Sequence, residues 1–268
     1  QYISSSSRGF SRYRSLISLL MGKKYTEIKL KISRGKITIK SAVKRTLQGY
    51  NFYKKMASIR ESHTKLEDGI FYLNLAKITD NDIMKLSPQL KEAKSIICDT
   101  RDGVRAFSLI NHLLKRKDIS SEWMQVPQII YPDYQNVIFK KTGWNLIPRK
   151  PKITAKMTFI IDCSALSSTE SFMSFIEHYK LGTMIGQVTA GTNGNLNTFI
   201  IPGGYKITWT GMKVVKHDGS RHHCVGISPH IQVYKTIKAV TEGRDEFLEK
   251  AIEISREYLT EGEEQIKK

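Results

Sequence analysis

Two short segments near the start of the chain alternate hydrophobic and polar residues with a period of two. The segments TEIKLKIS and KITIKSAV flank the tripeptide RGK at positions 34–36. Alternation on both sides of a glycine turn is typical of a β-hairpin. An apolar segment around Leu16–Met21 precedes it. We therefore predict a small β-rich unit over residues 1–47, followed by a linker or short helix over residues 48–67.

The pattern changes at residue 68 to strands that alternate with helices. The apolar segments GIFYLNLA, SIICDTR and MTFIIDCS have the character of strands, and each precedes a helical pattern; the first of these helices, DNDIMKLSPQLKEA, is expected to open with an Asp or Asn cap. A further strand, TMIGQVTAG, three later β segments and the amphipathic helix GRDEFLEKAIEISREYL complete the series. This order predicts an α/β domain over residues 68–260, with a tail at 261–268.

The composition is that of an ordinary globular protein with a strongly basic surface. The 268 residues are 40% hydrophobic and 25% charged, and no segment approaches the roughly 18 consecutive apolar residues that a membrane-spanning helix needs. The formal net charge is +18, but the basic residues are spread along the chain as doublets. No zinc-finger spacing or nucleic-acid-binding motif accompanies them. The charge therefore indicates a solvated basic surface, and we expect no specific nucleic-acid partner.

The cysteines and histidines do not form a recognisable metal-binding or disulfide pattern. Three cysteines at irregular spacing are an odd number, and buried free thiols fit them better than a disulfide framework. A zinc site built from His217, His222 and His223 is conceivable, but their spacing matches no standard zinc pattern. We expect neither a metal nor another cofactor.

Small hydroxyl residues are concentrated where the third predicted strand meets its helix, in the segment DCSALSSTESFMSFI at 162–176. One interpretation is structural: Ser167 caps the helix and Glu170 completes a capping box. The other is catalytic, because backbone N–H groups and the dipole at a helix start can stabilise a developing oxyanion. The residue spacing alone leaves both interpretations open.

Several separated motifs resemble those of the carboxyl-terminal-processing and tricorn-type serine peptidases, in particular the bacterial branch in which a PDZ-like domain precedes the peptidase core. The motifs are DGIFYLNLAKIT, IICDTRDG, SALSSTESF, IGQVTAGTNGN, and GMKVVKHDGSRHHCVGISPHI, followed by the last helix. The resemblance covers about 190 residues, from Asp68 to Leu259. It implies a ClpP/crotonase-like core of repeated β-β-α units, preceded by a partial PDZ-like region at 1–47.

The resemblance assigns the nucleophile to Ser167, three positions before Glu170. It assigns the oxyanion hole to the backbone N–H of Ser168 and the amide near Gly103. The processing peptidases use a lysine base in the later glycine turn, but this chain has Thr192 there. A serine–lysine dyad is therefore excluded at that position, which leaves either another base or no functional base.

Histidine is the alternative base, because neutral imidazole can accept a serine proton near pH 7. The tricorn-type peptidases place their histidine where this chain has His63, and at their glutamate position this chain has His222 and His223. His63 is our first choice, and either hairpin histidine is the second; one of these or Glu170 could also orient or replace the base.

The resemblance implies a serine-type endopeptidase that hydrolyses extended or carboxyl-terminal segments of proteins through an acyl-enzyme on Ser167. The alternative is a catalytically inactive member of the same fold that binds peptides or another ligand. We expect a periplasmic, secreted or cell-envelope location and a peptide or protein partner. The oligomeric state is left open.

Overall fold

The computed structural model describes residues 7–20, 22–45, 61–119, 122–129, 135 and 137–266. Its six helices within these ranges are α1 (Arg8–Leu20), α2 (Asp80–Glu92), α3 (Leu109–Leu113), α4 (Ser168–Tyr179), α5 (Ile237–Glu242) and α6 (Glu246–Ile266). The strands there are β1 (Glu27–Arg34), β2 (Ile37–Lys44), β3 (His63–Glu67), β4 (Ile70–Asn74), β5 (Ser95–Asp99), β6 (Met124–Ile129), β7 (Ile138–Thr142), β8 (Lys156–Ile161), β9 (Thr183–Gly186), β10 (Leu196–Ile201), β11 (Tyr205–Thr210), β12 (Lys213–Val214) and β13 (Ile231–Gln232). Met21 and most of the predicted linker lie outside the described residues.

The centre of the molecule is a six-stranded sheet in the order β13-β9-β8-β5-β4-β3. Neighbouring strands are parallel from β13 to β4, and only β3 runs antiparallel to its neighbour. Strand β3 begins at His63, so this sheet starts before Asp68, where the sequence pattern placed the domain boundary. The predicted α/β fold with a mixed sheet is confirmed.

Both faces of the sheet are buried, which explains why β5 and β8 are nearly continuous apolar segments. Every residue of β5 is buried, as are five of the six residues of β8. On one face, α6 contributes Phe247, Ala251 and Ile254 to a cluster that includes Ile97 and Ile160. The spacing of three and four residues places these side chains on one side of the helix. Helix α6 continues to Ile266, through most of the predicted tail.

On the other face, α2, α3 and α4 cover the sheet. The ring of Phe172 in α4 lies edge-on to that of Phe159 in β8, with the ring centroids 6.3 Å apart. Helix α2 has Thr79 as its N-cap, with a capping box formed with Asp82, so the predicted Asp or Asn cap was wrong. None of the described helices combines the length and apolar character needed to span a bilayer.

The region between α3 and β8 holds elements that the sequence pattern did not predict. Strands β6 and β7 form a three-stranded sheet with β12, in the order β12-β6-β7. Pro127 interrupts β6 at a register shift, and every residue of β7 is exposed, so neither strand has an apolar face to reveal it. The helical pattern that follows SIICDTR, over VRAFSLINHLLKR, forms a helix only at α3, because residues 103–106 are irregular, residues 107 and 108 form a turn, and the Arg105 N–H donates to the Leu75 carbonyl at 2.7 Å.

Two β-hairpins form separate sheets. Strands β1 and β2 pair from Glu27 with Lys44 to Arg34 with Ile37, and β10 and β11 pair from Leu196 with Thr210 to Ile201 with Tyr205. Neither hairpin continues the six-stranded sheet. The hairpin predicted around residues 34–36 is confirmed, and its interpretation as part of a PDZ-like unit stays a prediction.

Candidate active site

Ser167 occupies the turn between β8 and α4, with a backbone conformation that few non-glycine residues adopt. Its φ is 56° and its ψ is −122°, and it is the N-cap of α4. Its N–H donates to the Thr192 carbonyl at 2.9 Å, and its own carbonyl accepts from the Ser171 N–H at 3.1 Å. Backbone strain of this kind persists only where the surrounding contacts enforce it, and it concentrates at functional sites.

The loops that follow the parallel strands meet around this turn. They are residues 100–103 after β5, 162–167 after β8 and 187–192 after β9. The carboxyl ends of parallel strands share one edge of a sheet, which is where α/β proteins bind their ligands. A Cβ added to Gly103 would lie 4.0 Å from Thr169 Oγ1 at the start of α4. The structure therefore places Gly103 near the start of α4.

Glu170 fixes the loop after β9 to the first turn of α4. Its side chain is fully buried. Oε1 accepts hydrogen bonds from Thr189 Oγ1 at 2.5 Å and from the Gly191 N–H at 2.7 Å, and Oε2 accepts from the Thr192 N–H at 2.9 Å. The Ser167 side chain makes no capping hydrogen bond, so the capping-box interpretation was wrong. The carboxylate instead holds the loop whose Thr192 carbonyl receives the Ser167 N–H.

The three candidate base histidines lie in different surroundings. His222 is 1% exposed, and its Nε2 lies 3.3 Å from Glu170 Oε2, so it lies close to the turn but faces the carboxylate. His223 is exposed, and its carbonyl accepts from Arg221 Nε at 2.7 Å. The structure therefore places the His222 imidazole, rather than that of His223, beside the Glu170 carboxylate.

His63 lies at the same edge of the sheet but on strand β3. Its Nδ1 is 3.1 Å from Ser62 Oγ, and it is paired with Leu73 at the carboxyl end of β4. Three strand spacings separate β3 from β8, which is about 14 Å. Within the described part of the chain, no hydrogen bond joins Ser167 to an imidazole; the serine–histidine hydrogen bonds there are Ser62–His63 and Ser174–His217.

The two candidate oxyanion donors differ in availability. Ser168 is the first residue of α4, where N–H groups lack partners within the helix, and no acceptor for its N–H lies among the residues described. The Gly103 N–H donates to the Thr100 carbonyl at 3.1 Å. Asp102, within the same turn, has a φ of 69°. The Ser168 N–H is therefore available to donate to an oxyanion, whereas the Gly103 N–H can do so only after its hydrogen bond to the Thr100 carbonyl breaks.

A buried ion-pair network lies below the site. Arg101 is 3% exposed and forms hydrogen bonds with both Asp99, at the end of β5, and Asp245, just before α6. Burial alone would lower the pKa of Arg101, but the two carboxylates outweigh it and raise that pKa. The network joins the edge of the sheet to the last helix, a structural role.

The sequence did not predict the contact between Ser174 and His217. Ser174 Oγ and His217 Nδ1 are 2.8 Å apart. The imidazole lies among aromatic rings, 4.5 Å from Phe175 and 4.8 Å from His178 between centroids. Burial, and then the neighbouring His178, lower the pKa of His217 to about 4. The two residues are 43 positions apart, and no local pattern links them.

The histidines considered for a zinc site have different partners. His217 bonds to Ser174, whereas His222 faces Glu170. Among the residues that the structure describes, no group of three His, Cys, Asp or Glu side chains is arranged to hold a metal ion.

The α/β sheet thus places a strained serine at a strand-to-helix turn, beside a helix-start N–H. Residues 69–233 match the statistical model of peptidase family S41. That match covers more than half of the 268 residues, and the chain therefore belongs to peptidase family S41, a family of proteases. The resemblance to processing and tricorn-type peptidases is confirmed at this level.

Solved structures support the same fold. A candidate peptidase from Parabacteroides merdae ATCC 43184 superimposes with a TM-score of 0.62 at 17% identity, covering 91% of this chain and 81% of that one. Mature CPAF in complex with lactacystin superimposes with a TM-score of 0.58 at 13% identity, covering 85% of this chain and 66% of that one. No match was found among curated protein sequences. At these identities the structural likeness concerns the fold alone.

Proposed function

We propose that this chain is a serine peptidase that hydrolyses peptide bonds in extended or carboxyl-terminal segments through an acyl-enzyme on Ser167. The observation that carries the proposal is the backbone of Ser167, with its φ of 56° at the start of α4. A serine that only capped the helix would gain nothing from this strain, and it makes no capping bond. A nucleophile gains an exposed hydroxyl beside helix-start N–H groups.

The proposed reaction has two stages, acylation of Ser167 and hydrolysis of the acyl-enzyme. Ser167 Oγ attacks the substrate carbonyl carbon while its proton passes to a neutral imidazole, and the carbonyl oxygen becomes an oxyanion that accepts the Ser168 N–H. The C–N bond then breaks, the imidazolium returns the proton to the leaving amine, and an acyl-enzyme remains. Water deprotonated by the same imidazole hydrolyses the ester and frees Ser167.

His63 remains our first choice of base, and His223 our second. Both side chains are exposed, and catalytic hydrogen bonds often form only in the substrate complex; for His63 this requires a movement of the chain and not of the side chain alone. His222 is buried against Glu170, which favours a positioning role for it. The periplasmic, secreted or envelope location stays a proposal that rests on the resemblance.

The second candidate function is that of a binding protein without catalysis. Two observations favour it: Ser167 has no imidazole partner within the described residues, and the Gly103 N–H donates to Thr100. A site that retained only the turn would bind a peptide in the cleft and leave it intact.

Labelling with a fluorophosphonate separates the two functions. We expect wild-type protein to be labelled at Ser167, located by peptide mass spectrometry, and Ser167→Ala to lose the label. Ser168→Ala is the matched control, since it removes a neighbouring hydroxyl and keeps the N–H that binds the oxyanion. Wild-type protein that stays unlabelled at every pH from 5 to 9 would overturn the peptidase proposal in favour of the binding function.

The base is assigned by comparing histidine variants in the hydrolysis of a fluorogenic peptide. We expect His63→Ala to lower kcat/KM by about a thousandfold, as removal of a general base does, and Ser167→Ala with His63→Ala to be hardly worse than either change alone. His223→Ala should stay within about threefold of wild type. If His223→Ala instead shows the large loss and His63→Ala stays within about threefold of wild type, the base is His223.

A further inference from the structure

The β10–β11 hairpin exposes an apolar face beside the candidate active site. Directly paired residues of an antiparallel hairpin share a face, and the pairs Phe199 with Ile207 and Asn197 with Trp209 therefore lie together. Phe199 and Trp209 are each 45% exposed, with ring centroids 5.3 Å apart. Together with Ile207, which is 41% exposed, they form a contiguous apolar patch, and such patches often mark a binding site.

The base of the hairpin is fixed to the nucleophile turn. The Gly191 and Thr192 N–H groups donate to Glu170, and Asn193 Nδ2 donates to Ser171 Oγ at 3.0 Å. The Thr192 carbonyl receives the Ser167 N–H. Leu196, the first residue of β10, follows Thr192 by four positions, and four residues of extended chain span about 13 Å. The hairpin therefore has a defined position relative to Ser167.

The hairpin also offers a free backbone edge. Within the described residues, β10 and β11 pair only with each other, so each strand presents unpaired backbone groups along its outer side. An extended peptide satisfies such an edge by strand addition, and its alternate side chains then meet one face of the hairpin. A two-stranded ribbon is marginally stable by itself, so a third strand would also stabilise it.

We propose that the β10–β11 hairpin is the docking arm for the substrate: it binds an extended peptide with apolar side chains at alternate positions, by strand addition against the face that holds Phe199 and Trp209. The inference rests on the proposed function, because it places the peptide next to Ser167. Continuity with the nucleophile turn is what identifies the occupant. The β1–β2 hairpin also has an apolar face, at Leu30 and Ile32, but its link to the site is indirect: it runs through α1, at whose start Ser7 Oγ donates to the Thr189 carbonyl at 3.2 Å.

The test measures peptide binding in the Ser167→Ala protein by isothermal titration calorimetry, so that no catalysis is needed. The probe is a peptide that alternates four leucines with four serines, with a glutamate at each end. The comparison peptides are the same residues with the leucines in one block, and the alternating peptide N-methylated at alternate amides. We expect the alternating peptide to bind at least tenfold more tightly than either comparison peptide.

Hairpin variants then locate the binding. Phe199→Ser and Trp209→Ser should each weaken binding at least tenfold, and Trp209→Phe should restore most of it. Ile200→Ser and Leu196→Ser are the matched controls, because both residues are 72% exposed on the opposite face, and they should change the affinity less than twofold. Circular dichroism of each variant verifies that the fold is retained.

Three results would overturn the docking proposal: equal affinity for the alternating and block peptides, equal effects of the variants on both faces, or a dimer in sedimentation that only Phe199→Ser and Trp209→Ser dissociate. The last would identify a second copy of the chain as the occupant. Failure of the proposed function has a different signature, because it removes fluorophosphonate labelling while leaving peptide binding to Ser167→Ala unchanged.

Discussion

Helix α4 presents two serines in opposite situations. Ser167 at its start is half-buried, strained and without an imidazole partner in the described structure. Ser174, two turns further on, is 5% exposed and lies 2.8 Å from His217. By hydrogen bonding alone, Ser174 has the better catalytic pair.

The comparison shows that a serine–histidine hydrogen bond does not by itself define a nucleophile. Ser174 lies inside the helix, where neighbouring N–H groups are bonded within the helix and cannot receive an oxyanion. Ser167 is accessible to solvent, a free N–H lies beside it at Ser168, and Glu170 holds its turn in place. Ser167 and Ser174 are therefore distinguished more clearly by their positions relative to the start of α4 than by the hydrogen-bond partners of their hydroxyl groups.

Removing the support of Ser167 should have the largest effect. Glu170→Ala leaves the buried Thr189 hydroxyl and the Gly191 and Thr192 N–H groups without their acceptor. Unsatisfied buried groups cost about 1–3 kcal/mol each, so we expect the free energy of unfolding to fall by about 3–5 kcal/mol. Urea unfolding measures this loss, and fluorophosphonate labelling should fall with it.

Glu177→Ala is the matched control on the same helix. Glu177 is 30% exposed and pairs with Lys216 at 2.8 Å. An ion pair of this exposure contributes at most about 1 kcal/mol. If both substitutions cost the same, Glu170 does not have the special role that its contacts indicate.

Protonating the partner of Ser174 should have an intermediate effect. Burial lowers the pKa of His217 from its ordinary 6.5 to about 4. Between these pH values the unfolded chain binds a proton at His217 that the folded chain excludes. The contribution of His217 to the free energy of unfolding is therefore fully present above pH 6.5 and is lost as the pH falls to 4. Since the ring is partly exposed, we expect a loss of about 1–2 kcal/mol.

The substitution His217→Asn removes this titration and keeps a polar atom near Ser174. The difference in unfolding free energy between pH 7 and pH 4.5 should shrink by about 1 kcal/mol in the variant. His178, Asp118 and Asp218 also act on this imidazole, and all three are retained in the comparison. An unchanged pH dependence would show that His217 has the same pKa in the folded and the unfolded chain.

The smallest effect is expected for Ser174 itself. Ser174→Ala removes a hydroxyl that bonds to His217 and leaves the rest of α4 intact. We expect a loss of about 1 kcal/mol in unfolding free energy and a change in peptide hydrolysis below twofold. A loss of activity comparable to that of Ser167→Ala would reverse the comparison and assign the nucleophile to Ser174.

The elements that the sequence predicted correctly have strong local patterns. Strands β5 and β8 are nearly continuous apolar segments because both faces of the sheet are covered, and the β1–β2 hairpin alternates around Gly35. Strands β6 and β7 escaped prediction because Pro127 interrupts β6 and every residue of β7 is exposed. The pairing of β6 with β12 is a long-range contact that leaves no periodic trace in the sequence.

The sequence by itself determined the α/β core, the family and the position of Ser167 at a helix start, because these depend on local periodicity and on motifs read in order along the chain. Only the tertiary structure decided the partners of the site. The sequence pattern indicated a capping role for Glu170, but its carboxylate instead accepts hydrogen bonds from the loop at 189–192. Ser174 forms a hydrogen bond with His217, which lies 43 positions away in the chain. Hydrogen bonds between distant loops depend on how the strands are ordered in the sheet, and that order is a property of the packed core.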